Sequence, residues 1–265
     1  MTMNGPAGAY WAESLGRWAI PQEILSSAPE SPFGCPAACF VAGDDPVETP
    51  SRSRALEALP EGGTVLDVGA GGGAAGLGLV PPAARLVAVD QSQEMLDSLR
   101  ASAQKRPGLA VETFMGRWPD AAGSVPVADV VVCHNVLYNV ADLPSFLAAL
   151  DSHARNRVVI QITQRHPRSM LSAMWKHFWG SELPDAPIAD DAAAVVAEEG
   201  YEVHMELFDA PATRRADRET QVRFIRRQLC LGPDADAEID SLLGADGFGP
   251  RPAACLWWDV LGQRG

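Results

Sequence analysis

The run Thr64-Val65-Leu66-Asp67-Val68-Gly69-Ala70-Gly71-Gly72-Gly73 restricts this chain's fold more than any other stretch. It begins as a buried strand and ends as a loop almost without side chains. An apolar run followed by glycines lets a backbone turn sharply and approach a ligand closely. Asp67 is the exception within it. A carboxylate at the end of a buried strand is costly unless it accepts hydrogen bonds or meets a positive charge. A bound cofactor is the simplest partner, so the stretch predicts a nucleoside-cofactor site.

From residue 64 onward, strand and helix patterns alternate. Strands are expected at Thr64–Val68, Arg85–Val89, Ala110–Phe114, Ala128–Cys133, Arg157–Thr163, Glu202–Phe208 and Ala254–Asp259. Most are short and rich in Val, Ile and Leu, as strands buried on both faces of a parallel sheet are. Helices are expected at Ala74–Gly78, Glu94–Lys105, Leu143–His153 and Asp190–Glu199. This alternation predicts an α/β fold: a doubly wound, seven-stranded, mostly parallel sheet with its ligand beyond the carboxyl ends of the strands. With 265 residues, 47% of them hydrophobic, the chain can build such a core.

Residues 1–50 are expected to form an N-terminal helical cap ahead of a main domain at 51–265. Residues 8–28 read as helix, with Tyr10, Trp11, Leu15, Trp18 and Ile20 on an apolar face and a break permitted at Pro21. Residues 29–50 read as an irregular linker with a short helical piece near Cys35–Val41. The cap can be a lid over a cleft or a helix packed on the flank. Ser51–Leu59 reads as a helix entering the first strand. Two connections exceed plain loops and are expected as insertions near 164–189 and 209–253, which commonly serve as lids or binding loops. The first holds Trp175, His177, Phe178 and Trp179 and reads as an extended helix. Its two tryptophans, at i, i+4 spacing, fit a core better than a substrate cage. The second holds a basic run (Arg214, Arg215, Arg218, Arg223, Arg226, Arg227) and an acidic one (Asp234, Asp236, Glu238, Asp240). The arginines read as a solvated helix face paired with nearby acids, or as a site for an acidic acceptor.

A formal net charge of −13 disfavours nucleic acid and anionic membrane surfaces as partners. Met1 to Tyr10 lacks a basic region followed by an apolar one, and no run of about 18 apolar residues is present. A cytoplasmic location is expected, with the five scattered cysteines as free thiols. Cys35 and Cys39 are spaced like metal ligands, but no matching Cys/His pair follows, so no metal site is expected.

The glycine loop alone leaves two readings. Gly69, Gly71 and Ala74, with Asp90 further on, fit the G-x-G-x-x-[GA] dinucleotide fingerprint and an NAD-dependent oxidoreductase. Asp67, two residues before the first glycine, argues against it. Leu66 to Gly73 resembles instead the first motif of the class I S-adenosylmethionine-dependent methyltransferases, an acidic residue followed by G-x-G-x-G. Val89-Asp90-Gln91-Ser92-Gln93-Glu94-Met95-Leu96 resembles their second strand with its ribose-holding acid and D-x-S-x-x-M-L continuation. Met115-Gly116-Arg117-Trp118-Pro119 is similar to the adenine-contacting segment after strand three, and Ala128 to Tyr138 to strand four and its exit. Two departures stand out. Arg117 and Trp118 follow Gly116 where the family often has an acid. Cys133-His134-Asn135-Val136 is not the N-P-P-Y-like element of enzymes that methylate base amines.

The resemblance implies a Rossmann-like fold and S-adenosylmethionine as methyl donor, with S-adenosylhomocysteine as product. It implies Asp67 near the methionyl end or ribose, Gly69, Ala70 and Gly71 against the donor, and Asp90 on both ribose hydroxyls with Gln91 beside it. Met95, Arg117 and Trp118 would lie near adenine. His134 would reach the methyl group, as a general base or through backbone contacts only. Tyr138 and His166 are candidates for the acceptor side. Methyl transfer from a sulfonium needs mainly alignment, worth roughly 7–11 kcal/mol, so an essential catalytic side chain is not required. A small-molecule acceptor, methylated on oxygen or nitrogen, is expected. A protein or RNA acceptor, or a non-catalytic cofactor-binding protein, are the remaining readings. Aromatic residues in the caps favour an apolar or aromatic acceptor.

Overall fold

A computed structural model describes residues 5–33, 46–210, 217–244 and 251–260. Seven strands pair into one sheet in the order β3-β2-β1-β4-β5-β7-β6. They are β1 Thr64–Val68, β2 Arg85–Asp90, β3 Ala110–Met115, β4 Ala128–His134, β5 Ala154–Thr163, β6 His204–Ala210 and β7 Arg251–Asp259. The first five run parallel, and β7 lies antiparallel between β5 and β6. The strand order reverses between β1 and β4, which places a crevice at their carboxyl ends.

The expected α/β architecture is therefore present, and the side chains explain its two layers. Successive residues of a strand point to opposite faces. Leu66 and Val68 of β1, Val131 and Cys133 of β4, and Val158, Ile160 and Ile162 of β5 fill one core with Trp11, Phe146, Leu147 and Val195. Those partners come from α1 (Pro6–Gly16), α6 (Leu143–His153) and α8 (Ala189–Glu198). Val65, Leu86, Ala88, Val130, Val132 and Val159 fill the other, with Ala55, Leu77, Leu96 and Leu99. There the helices are α3 (Pro50–Ala58), α4 (Ala74–Leu77) and α5 (Gln93–Ala103). Ser92 caps α5 through Met95 N–H and Asp142 caps α6 through Ser145 N–H.

The two insertions build a third, smaller core. Leu171, Met174 and Trp175 pack against Val222, Ile225, Leu229, Ile239 and Leu243, with Ile20 and Ile24 beside them. The elements involved are a 3-10 turn at Pro167–Leu171, α7 (Ser172–Trp179), α9 (Arg218–Gln228), α10 (Asp236–Leu243) and α2 (Gln22–Ser27). Trp175 and Trp179 belong to this core, and Trp179 Nε1 donates to Leu229 O at 2.8 Å.

Several expected bounds change. The helix over 8–28 is two, α1 and α2, because Pro21 breaks it and caps the second. The extended helix over 164–189 is a 3-10 turn followed by α7. Gly180, at φ 67°, ends that helix, and Ala189 N–H donates to Gln164 O at 2.9 Å, folding the insertion back on itself. The sixth strand starts at His204 rather than Glu202, after a turn in which Val203 N–H donates to Tyr201 O. The seventh starts at Arg251, since Pro252 still offers its carbonyl to Gln164 N–H. The arginine run is only partly a solvated face. Arg226 is buried between Asp236 and Glu30, while Arg218 meets Asp240 at the surface. Cys35, Cys39, the helical piece at Cys35–Val41, and Arg214 and Arg215 lie outside the described residues. Among those described, no helix is long and apolar enough to cross a membrane.

Candidate functional site

The glycine loop leaves β1 at the crevice. Gly69 and Ala70 both donate their N–H groups to Val89 O, at 2.9 and 3.0 Å, which ties the loop to the end of β2. Gly69 has φ 72° and Gly71 φ 51°, a region that disfavours any residue with a Cβ. A Cβ on Gly69 would lie 2.3 Å from Val136 Cγ2. The β1 and β4 exits therefore touch, and only glycine permits it. On the β4 side Asn135 takes φ 59°, and its N–H donates to Gln161 O at 2.7 Å.

Asp90 joins two walls of the crevice. Its Oδ2 accepts from Gly71 N–H and its Oδ1 from Ser92 N–H, both at 2.8 Å. Each oxygen keeps a lone pair for a further donor. Gln91 is exposed beside it, and Met95 sits half-buried in the first turn of α5. Met115 pairs with Asp90 in register and is 65% exposed, a large apolar side chain held out at the end of β3. Arg117 is exposed close by in sequence.

Asp67 is sealed from solvent. Its Oδ2 accepts from Gly76 N–H in α4 at 2.8 Å, so part of its role is to cap that short helix. Its Oδ1 has no partner. Burial pushes the carboxyl up to about 7, against the Gly76 bond and with a contribution from the charge of Asp90.

His134 and Gln161 pair in register on β4 and β5. Alternation puts them on the α3–α4 face, the face that also receives Asp67, whose register partner is Val132, two residues before His134. Among the described residues, His134 Nε2 and Gln161 Oε1 are both buried without partners. Burial pulls the His134 imidazole down to about 4. Three orphaned polar atoms thus lie along one face of β1, β4 and β5 at their carboxyl ends. Gln161 carries no motif signal. Its trace in the sequence is a single polar residue inside Val158-Val159-Ile160-Gln161-Ile162, which gains meaning only when register sets it beside His134.

The structure places the remaining candidates as follows. Trp118, expected near adenine, is buried in the core on the α6 side with its ring edge on His153, centroids 4.9 Å apart. At 6% exposure it offers no open face for stacking. Tyr138, expected on the acceptor side, is a brace: its hydroxyl donates to Thr163 O at 2.9 Å and its ring stacks on Trp11. His166 stacks on Trp18 with centroids 3.8 Å apart and meets Tyr138 edge-on. Its Nδ1 accepts from Arg168 N–H, and burial, aided by the charge of Arg168, pulls the ring down to about 3.

These contacts also place the N-terminal helices. Trp11 Nε1 donates to Val140 O at 2.8 Å, and Trp18 Nε1 to Ala186 O at 2.6 Å. The Glu198 carboxylate accepts from Ala7 N–H and Gly8 N–H, capping α1 from α8. Helix α1 is packed on the flank.

Residues 66–160 match the family model described as a methyltransferase domain. A protein of Haemophilus influenzae described only as uncharacterized is 36% identical over 103 residues, and the match spans 38% of each chain. Solved structures share the fold. YcgJ of Bacillus subtilis has a TM-score of 0.54 at 17% identity, covering 81% of this chain and 99% of that one. A presumed methyltransferase from an antibiotic biosynthesis pathway of Anabaena variabilis has a TM-score of 0.53 at 18% identity, covering 78% and 95%. The sequence resemblance implies S-adenosylmethionine as the ligand. The positive-φ glycine loop, the lone pairs left on Asp90 and the orphaned Oδ1 of Asp67 fit that molecule's hydroxyls and cationic end. Residues 66–160, which hold the glycine loop and Asp90, are thus similar to a methyltransferase domain.

Proposed function

We propose that this chain is a cytoplasmic enzyme that transfers a methyl group from S-adenosylmethionine to an oxygen or nitrogen of a small molecule. Asp90 carries the reading. One carboxylate links Gly71 N–H to Ser92 N–H at the switch point of the sheet and keeps a lone pair on each oxygen for a ribose hydroxyl. When bound, S-adenosylmethionine supplies an electrophilic methyl on a sulfonium. Gly69, Ala70 and Gly71 hold the donor closely through the backbone. Asp67 accepts from its charged end, and that charge in turn keeps the carboxylate ionised.

His134 stands at the end of β4, neutral at ordinary pH because burial holds it near 4. A base so far below ambient pH removes a proton poorly. Its Nε2 is suited to accepting a hydrogen bond from the acceptor's O–H or N–H and so to aiming a lone pair at the methyl. Alignment of this kind provides most of the acceleration, roughly 7–11 kcal/mol. Gln161 turns its amide to the same acceptor, and the inserted helices with the Trp18 segment close that side from water.

Calorimetry with S-adenosylmethionine and S-adenosylhomocysteine tests the donor reading. Both should bind wild type, and Asp90→Ala should weaken them about a hundredfold, the worth of two hydrogen bonds to a charged group. Preference for NAD, or no binding of either nucleoside, would overturn it.

A further inference from the structure

The described arginines that are withdrawn from solvent are mostly matched by acids. Arg226 has Asp236 and Glu30, and Arg157 has Asp259 and Glu57. Arg168 is different. Its Nη1 donates to Trp18 O at 2.9 Å and its guanidinium lies 5.0 Å over the Trp175 ring. No described carboxylate reaches it, and its Nη2 is buried without a partner. The Nε–Nη2 edge of the fork, the edge that grips a carboxylate bidentately, is the one without an acceptor. A half-buried cation with one nitrogen left this way is costly, and a Met or Leu would pack there at less expense.

Arg168 also occupies a telling place. It lies in the turn directly after β5, two residues beyond His166, at the carboxyl end of the sheet. The face of Trp175 lies against its guanidinium, and Trp18, whose carbonyl it holds, stacks on His166, which Tyr138 meets edge-on. A cation set among aromatic rings matches a molecule with an oxyanion on an apolar body. The Trp18 segment covers the site, held by Arg168 itself and by Ala186 O.

We infer that Arg168 is the anion-binding residue of the acceptor site, and that the acceptor is a small apolar or aromatic acid whose carboxylate takes the Nε–Nη2 edge. This rests on the methyl-transfer reading above and narrows its substrate class.

The test is calorimetry with the full chain saturated by S-adenosylhomocysteine, against benzoate, phenylacetate, indole-3-acetate and octanoate, each paired with its primary amide. At least one acid should bind about tenfold or more tightly than its amide. Arg168→Met should weaken that acid at least about thirtyfold, as removal of one partner of a buried charge pair does, and Arg168→Lys should restore part of it. Both variants should keep wild-type affinity for S-adenosylhomocysteine. Without ligand, Arg168→Met should unfold at or above the wild-type temperature, since it removes a half-buried charge beside no described acid. No acid outbinding its amide would overturn the inference, as would Arg168→Met binding the acid like wild type. A variant too unstable to bind S-adenosylhomocysteine would also count against it, marking Arg168 as structural. Failure of wild type to bind S-adenosylhomocysteine would instead sink the methyl-transfer reading.

Discussion

Asp67→Asn separates the energetic cost of the glycine-loop motif from its use. The wild-type carboxyl is raised from 3.8 to about 7 in the folded chain, chiefly by burial. The folded state therefore binds a proton more readily than the unfolded state. Asp67 contributes its stability below the unfolded value and loses it as pH rises through about 7. At about 1.4 kcal/mol per unit, the full swing is roughly 4 kcal/mol, and the part between pH 5 and pH 8 is roughly 3 kcal/mol. Asparagine keeps an oxygen for Gly76 N–H and does not titrate in this range. In urea denaturation of the ligand-free chain followed by tryptophan fluorescence, the variant should gain on wild type by roughly 3 kcal/mol from pH 5 to pH 8. At pH 8 its affinity for S-adenosylhomocysteine should fall about tenfold or more, as loss of one hydrogen bond to a charged group requires. A stability difference that stays constant from pH 5 to pH 8 would refute the burial argument. Unchanged affinity would refute the assignment of Oδ1 to the donor.

Gly69→Ala should weaken S-adenosylhomocysteine binding and cost about 1–3 kcal/mol of stability, because the new methyl meets Val136 in a backbone conformation with φ 72°; calorimetry and urea melts read both. Glu198→Ala should cost about 1 kcal/mol by removing the acceptor for Ala7 and Gly8 N–H. It should also speed proteolytic trimming of α1, seen by mass spectrometry, with donor affinity unchanged. His134→Gln and His166→Gln should each flatten the acid limb of stability. Burial lowers the folded-state values to about 4 and about 3, so their contributions are present above the unfolded histidine value and lost as pH falls through those points. Urea midpoints from pH 7 down to pH 4 would show it, and an unchanged slope in both variants would contradict it.

The proposed donor side is legible in the chain because it is local. Asp67, Gly69, Gly71 and Gly73 lie within one strand and its turn, where backbone angles and the absence of side chains act over a few residues. Asp90 ends the next strand, and the β/α alternation placed the two turns side by side. Even there, the tertiary structure divided the work of Asp67, giving one oxygen to Gly76 and leaving the other orphaned.

The proposed acceptor side depends on elements far apart in the chain, and no short-range pattern encodes it. Register brings Gln161 beside His134. Burial, rather than residue type, turns Trp118 into core and Tyr138 into a brace. Arg168 becomes notable only because folding sets it against Trp18 and Trp175 and beside no described acid, whereas Arg226, read from the same kind of sequence, is matched twice. Amino-acid order determined which residues could turn, bend and alternate. Tertiary packing decided which polar groups lost water without gaining a partner, and those groups mark the site.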